Sequence, residues 1–340
     1  MAPMLYHVFS FAALFSYGLY HLVSASRAHL KSQQHRDYAA RPYHPLPLPP
    51  HGHHFLRHLP IYLVLLALVL AAVNQFLIAT SAAPDPLLRG RTPVHRLAAL
   101  QSTVVILLFL LIAASLLLAQ IRPHLLHLPP DLSFLLAALA FGFHSASSAR
   151  SAASYDHPDD LPAKRDAVAS TVAAASSALC LSLAVFPRLF VAELALAGSV
   201  SLQGLWSLQT GLSLYAEAFI PEGCHRLLDV AAGIEGSTKC ALEESRLRAA
   251  ALLDLAFVVH TTFIAVAAVI IYAAVARAVG VGPGSVRKMG SYEALPTASS
   301  GGALNDMDHI QMKAIGKNAM QDCHFPSLMS FTALKRLVSL

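Results

Sequence analysis

Charge is scarce in this 340-residue chain. Asp, Glu, Lys and Arg make up 13% of it, against 56% for hydrophobic residues. Soluble globular chains carry about 25% charged residues, so the deficit argues against an ordinary soluble domain. Signatures of chemistry are missing too. There is no His-Glu-x-x-His, no Cys-x-x-Cys, no P-loop and no Gly-x-Ser-x-Gly elbow. No cluster of carboxylates falls inside the apolar runs. Span three lacks an Asp-Arg-Tyr end and span seven lacks Asn-Pro-x-x-Tyr, so nothing demands a seven-helix receptor. No Asn stands in an Asn-x-Ser/Thr triplet, and there is no prenylation box. Met1–Met4 has no basic residue and no convincing small-residue cleavage site precedes Arg27, so the first helix is expected to stay as a signal anchor. These absences set the expectation of a protein that is not an enzyme, with no cofactor, no metal and no nucleic-acid partner. The formal charge of +5 is carried mostly in loops and tail, where it faces lipid headgroups or sets topology.

What the chain does have is length of apolar sequence. A membrane-crossing helix needs about 20 predominantly apolar residues. Seven runs suffice: Leu5–Ala25, Leu59–Thr80, Leu97–Ala119, Leu132–Ala149, Ala167–Phe186, Leu189–Tyr215 and Ala249–Ala276. The expected fold class is all-α, a polytopic seven-helix transmembrane bundle. Residues 1–276 form the membrane domain and 277–340 a disordered cytoplasmic tail. The lipid bilayer is the first expected partner.

The connectors are read as polar and solvated. Ser26–His58 is rich in His and Pro and is taken as a surface loop rather than a metal site. Pro187-Arg188 is a very short turn, which makes spans five and six antiparallel neighbours. The sixth loop, Ala216–Arg248, holds Cys224 and Cys240, placed to close a disulfide. Orientation follows Lys and Arg. None precedes span one, and five follow it: Arg27, Lys31, Arg36, Arg41 and Arg57. The N-terminus is therefore expected outside and the tail in the cytoplasm, in the plasma membrane or an endomembrane. Tyr292-Glu-Ala-Leu295 then becomes a candidate sorting motif, with Tyr292 and Leu295 read by a clathrin-type adaptor.

Polar residues inside the runs are the candidate functional residues. In span six, Gln203, Trp206, Ser207, Thr210 and Glu217 share one side at 100° per residue. Such a stripe lines either a cavity or a helix–helix contact. His7 and His21 lie about 40° apart on span one and about 21 Å apart along it. That spacing offers one ligand to each of two stacked haems, but span four supplies only His144 and span seven only His260. Interfacial histidines are the favoured reading. Glu193 and Asp254 are placed near span ends, in headgroup-level or capping roles. Spans four and five are expected to pack through Ala137, Ala138, Gly142, Ser145 and Ser148 against Ala167, Thr171, Ala174, Ala175 and Ala178.

Leu202-Gln-Gly-Leu-Trp-Ser-Leu-Gln-Thr-Gly211, the opening His7 through Gly18-Leu-Tyr-His21, and Ile220-Pro-Glu-Gly-Cys-His225 together resemble the transmembrane protein 45 family in its plant branch, a domain of unknown function. The resemblance covers roughly Leu5–Ala276. It implies a seven-helix integral membrane protein of unassigned biochemistry. The chain departs from the family where it reads Leu100-Gln-Ser-Thr103, and again where His144 is followed by Ser and Arg150. The leading functional expectation is a membrane scaffold, interaction or trafficking component. The alternatives are a small-molecule or ion transporter lined by the span-six stripe, or a haem- or metal-dependent membrane redox protein.

Overall fold

Seven apolar runs of bilayer length form seven helices, because in lipid a backbone polar group must be satisfied within its own segment. The computed structural model describes residues 2–32, 38–47, 54–80, 92–155, 157–229 and 234–280. In chain order the long helices are α1 (Ala2–Ser32), α2 (Leu59–Thr80), α3 (Thr92–Ile121), α4 (Pro130–Ala153), α5 (Leu161–Val185), α6 (Phe190–Tyr215) and α7 (Glu243–Val279), with a single short turn of helix at His54–Arg57 before α2. Among the described residues these seven are long and apolar enough to cross a membrane. At 1.5 Å per residue, the 31 residues of α1 and the 37 of α7 are longer than a bilayer core requires. Their surplus turns carry polar contacts at the bundle ends. Helix α7 continues to Val279, and Gly280 ends it in the left-handed conformation at φ 82°.

The most extensive contacts join α4 to α5 and α1 to α6; α2 pairs with α3. Leu161, Val168 and Val172 of α5 pack with Leu202 and Trp206 of α6 and Ala249, Leu253 and Ile264 of α7. A second cluster combines Phe134 and Ala138 of α4, Cys180 and Leu183 of α5, Leu196 of α6 and Ala40 of the first loop. Large side chains on the outside are apolar: Leu66, Leu111, Val191 and Val269 are all more than half exposed. In water such a surface would be an association liability. In lipid it is the required face.

The α4–α5 contact forms through a different face of α5 than expected. Ser145 of α4 and Ser170 of α5 exchange hydroxyl-to-carbonyl bonds at 2.9 and 3.0 Å. Ser177 Oγ donates to the Ala138 carbonyl at 2.7 Å. The α5 seam is thus Ser170, Ala173 and Ser177, while Ala167, Thr171, Ala174, Ala175 and Ala178 are exposed. Small size alone did not distinguish the two faces of a helix rich in Ala and Ser. The serine hydroxyls did, because each needed a partner.

The sixth loop carries more structure than a solvated connector. Strands β1 (Cys224–Asp229) and β2 (Ile234–Cys240) pair antiparallel, with Cys224 opposite Cys240. Those two cysteines are disulfide-bonded. Thr238 Oγ1 donates to the Ser213 carbonyl of α6 at 3.4 Å, and Arg248 meets Glu222 at 3.1 Å. Gly223 turns the chain at φ 82°, where a Cβ would lie 2.3 Å from Ser245 Oγ. The expected tail beyond Gly280, including Tyr292 and Leu295, lies outside the described residues.

Candidate functional site

Glycines set the geometry of the α1–α6 contact. A Cβ on Gly18 would stand 2.7 Å from the Ser201 backbone nitrogen and 2.8 Å from the Ala197 carbonyl oxygen. On Gly204 it would stand 2.8 Å from the Phe15 nitrogen, and on Gly211 2.6 Å from His7 Cβ. Backbones this close leave side-chain chemistry only at the ends and flanks of the seam.

At one end, Glu193 lies in the first turn of α6 and is fully buried. Burying a carboxylate is costly unless it is paired and hydrogen-bonded. Three elements supply those partners. His44, from the first loop, approaches Glu193 Oε1 with its Nε2 at 2.8 Å. With Glu193 ionised, that carboxylate only accepts, so Nε2 of His44 carries the proton. Tyr38, from the same loop, donates its hydroxyl to Oε2. His21 of α1 brings Nε2 within 3.4 Å of Oε1. That contact lacks hydrogen-bond alignment, and this buried ring nitrogen has no hydrogen-bond partner among the described residues. The three acid and imidazole atoms lie within 4.8 Å of one another.

The loop is held down independently of its site side chains. Tyr20 of α1 donates its hydroxyl to the His44 carbonyl. Ala40 N donates to the Pro187 carbonyl at 2.7 Å, pinning the loop to the α5–α6 turn. His29 stacks on Phe190 with centroids 3.9 Å apart, and Tyr38 stands edge-on to both rings. Burial lowers the pKa of the His44 imidazole, against the opposing pull of Glu193. Burial and the neighbouring carboxylate raise that of the Tyr38 hydroxyl. A cavity of about 220 Å³, lined by Ala28, Ser32, Tyr38, Ala39, Arg41 and His44, opens beside the cluster.

Residues 130–273 match a family model described as a family of unknown function, DUF716. No curated protein is matched. The DUF716 match covers α4 through most of α7. It includes Glu193, whereas His21, Tyr38 and His44 precede it.

The expected site residues separate into groups. In the span-six stripe, Gln203 Nε2 donates to Ser176 Oγ of α5 at 3.2 Å. Trp206 Nε1 donates to the Arg165 carbonyl at 3.1 Å and packs edge-on against Phe257. Ser207 Oγ lies 3.4 Å from His7 Nδ1, and Thr210 is buried. The stripe's inner members therefore meet three different helices, while Glu217 sits exposed in a 3-10 turn beyond α6. His7 and His21 have separate surroundings, since His7 packs on Gly211 and Tyr215. His144 and His260 are half-buried on α4 and α7.

Three expectations need correction. His21, expected as an interfacial histidine, is enclosed by protein at 5% exposure, and Glu193, though in the first turn of α6 as expected, is fully enclosed and paired with loop side chains. The first loop is likewise not simply solvated, because Ala40, Tyr43 and His44 are buried. Asp254 does sit partly exposed, paired with Lys164 at 2.8 Å. The sequence signal for the missed cluster was the single acidic residue near the start of α6. Its partners are 149 and 155 residues away in sequence.

Proposed function

We propose that the protein is a multi-pass membrane scaffold or interaction component, related to the transmembrane protein 45 family and not an enzyme. The observation that carries this reading is the packing of the span-six stripe. Gln203, Trp206 and Ser207 find their partners in Ser176, Arg165 and His7. A transport path needs polar groups facing water, and these face other helices. The haem reading loses support at the same seam, where the close backbones at Gly18, Gly204 and Gly211 leave no slot for a macrocycle.

The proposed orientation keeps the N-terminus outside and the tail in the cytoplasm. The charge bias across α1 supports it, as does the Cys224–Cys240 disulfide, which belongs on an oxidising side. In that orientation Tyr292 and Leu295 would face adaptors. The deciding experiment isolates the intact protein from its own membrane in mild detergent. A membrane protein or adaptor should co-purify at a fixed ratio through size-exclusion chromatography. Protein that runs alone, and that drives solute flux in liposomes abolished by Gln203→Leu, would overturn the scaffold reading in favour of a transporter.

A further inference from the structure

We propose that His21, His44 and Glu193 form a binding site for a divalent transition-metal ion, best suited to Zn²⁺, which clamps the first loop onto the helix bundle. The three donors are His21 Nε2 from α1, His44 Nε2 from the loop and Glu193 Oε1 from α6, all buried. This inference goes beyond the scaffold reading, which stands whether or not the site takes a metal.

Geometry comes first. Zinc holds imidazole nitrogen at about 2.0–2.1 Å and carboxylate oxygen at about 2.0–2.2 Å, tetrahedrally. Two such ligands then stand about 3.3 Å apart. His21 Nε2 and Glu193 Oε1 are 3.4 Å apart, which matches. His44 Nε2 and the same oxygen are 2.8 Å apart, the spacing of a direct hydrogen bond. A metal replacing that proton moves them apart by about half an ångström, a small rotation for a loop imidazole.

The second argument is the unsatisfied nitrogen. His21 Nε2 is buried 3.4 Å from the carboxylate and has no hydrogen-bond partner among the described residues. Leaving such a buried group unpaired is unfavourable. A cation between the two imidazoles and the carboxylate removes that cost with no new side chain.

The surroundings fit as well. Metal-bound carboxylates and imidazoles are usually oriented by a further hydrogen bond. Tyr38 already supplies one to Glu193 Oε2, the oxygen that does not face the imidazoles. Tyr20 fixes the backbone that carries His44. The donor set is two nitrogens and one oxygen, with no thiolate. That suits zinc and its neighbours and not the oxygen-rich shells of Ca²⁺ or Mg²⁺. The cavity lined by Tyr38 and His44 is large enough for water, so a solvent ligand can fill the fourth position. Three protein ligands and one solvent ligand then complete the tetrahedron.

The test uses the full-length protein in detergent, purified through a tag without histidine. It is stripped with EDTA and reloaded with Zn²⁺ alone. Elemental analysis should find about one zinc per chain. His21→Ala and His44→Ala should each abolish it, whereas His144→Ala and His260→Ala should retain it. Tyr38→Phe, which removes an orienting hydrogen bond and no ligand, should weaken affinity about tenfold. If the alanine variants misfold, X-ray absorption of the zinc-loaded wild type decides, with two imidazoles and one or two oxygens expected in the first shell. Zinc far below one per chain at saturating free metal would overturn the proposal. So would a first shell containing sulfur, or stoichiometric zinc in a folded His44→Ala protein.

Discussion

The α1–α6 seam and the α2–α3 pair are both built from apolar helices, yet they are held by different forces. In the seam, Gly18, Gly204 and Gly211 let backbones touch, and Glu193, His21, Ser201 and Thr210 are buried between helices. In α2 and α3, leucines and valines dominate, and Leu63, Leu66, Val104 and Leu111 stay more than half exposed. Lipid tails are as apolar as Leu, so burying Leu against Leu gains little in a membrane. Close packing and satisfied polar groups gain more. The seam is therefore where sequence change should be costly, and the α2–α3 surface where it should be cheap.

The sharpest way to break this contrast is Glu193→Ala. It removes the acceptor shared by Tyr38 and His44 and loosens the first loop, which keeps its backbone bonds to Tyr20 and Pro187. Leaving two buried donors without their acceptor costs about 1–3 kcal/mol each, and thermal unfolding in detergent should show it as the largest loss. Protease sensitivity of the first loop should rise with it. Next comes Gly204→Ala, whose Cβ would stand 2.8 Å from the Phe15 nitrogen. Overpacking of this kind costs about 1–3 kcal/mol. Stability equal to wild type would mean that the helices are not in backbone contact. The smallest effects should come from Ala175→Leu and Leu66→Ala, both at exposed positions. Each should fall within about 0.5 kcal/mol of wild type. A large loss from Ala175→Leu would restore the α5 face that the serines displaced.

The same contrast explains what was legible in the sequence. Span number and position followed from run length, since a bilayer imposes about 20 apolar residues regardless of context. The inner stripe of α6 followed from helical period. Its partners did not, because period gives a face and not the helix opposite. Cys224 and Cys240 were visible as a pair within one loop, whereas the hairpin that aligns them was not. The Glu193 cluster was hidden for a further reason. Its position near the start of a span made a headgroup-level role reasonable, and His44 stands in a Pro-rich loop that reads as solvated. What draws that loop inward is a buried carboxylate from a remote helix, together with Tyr20 holding the His44 carbonyl.

The central claim is that the α6 stripe is closed by helix packing and lines no aqueous path. Cysteines introduced one at a time at Gln203, Thr210 and Glu217, in a chain with Cys180→Ala and Cys323→Ser and the Cys224–Cys240 disulfide intact, test it directly with a membrane-impermeant maleimide. Gln203→Cys and Thr210→Cys should stay unlabelled in the folded protein and react fully after denaturation in SDS, whereas Glu217→Cys should react from the outset. Labelling of Gln203→Cys and Thr210→Cys in the folded protein as fast as Glu217→Cys would contradict the account and place water along α6.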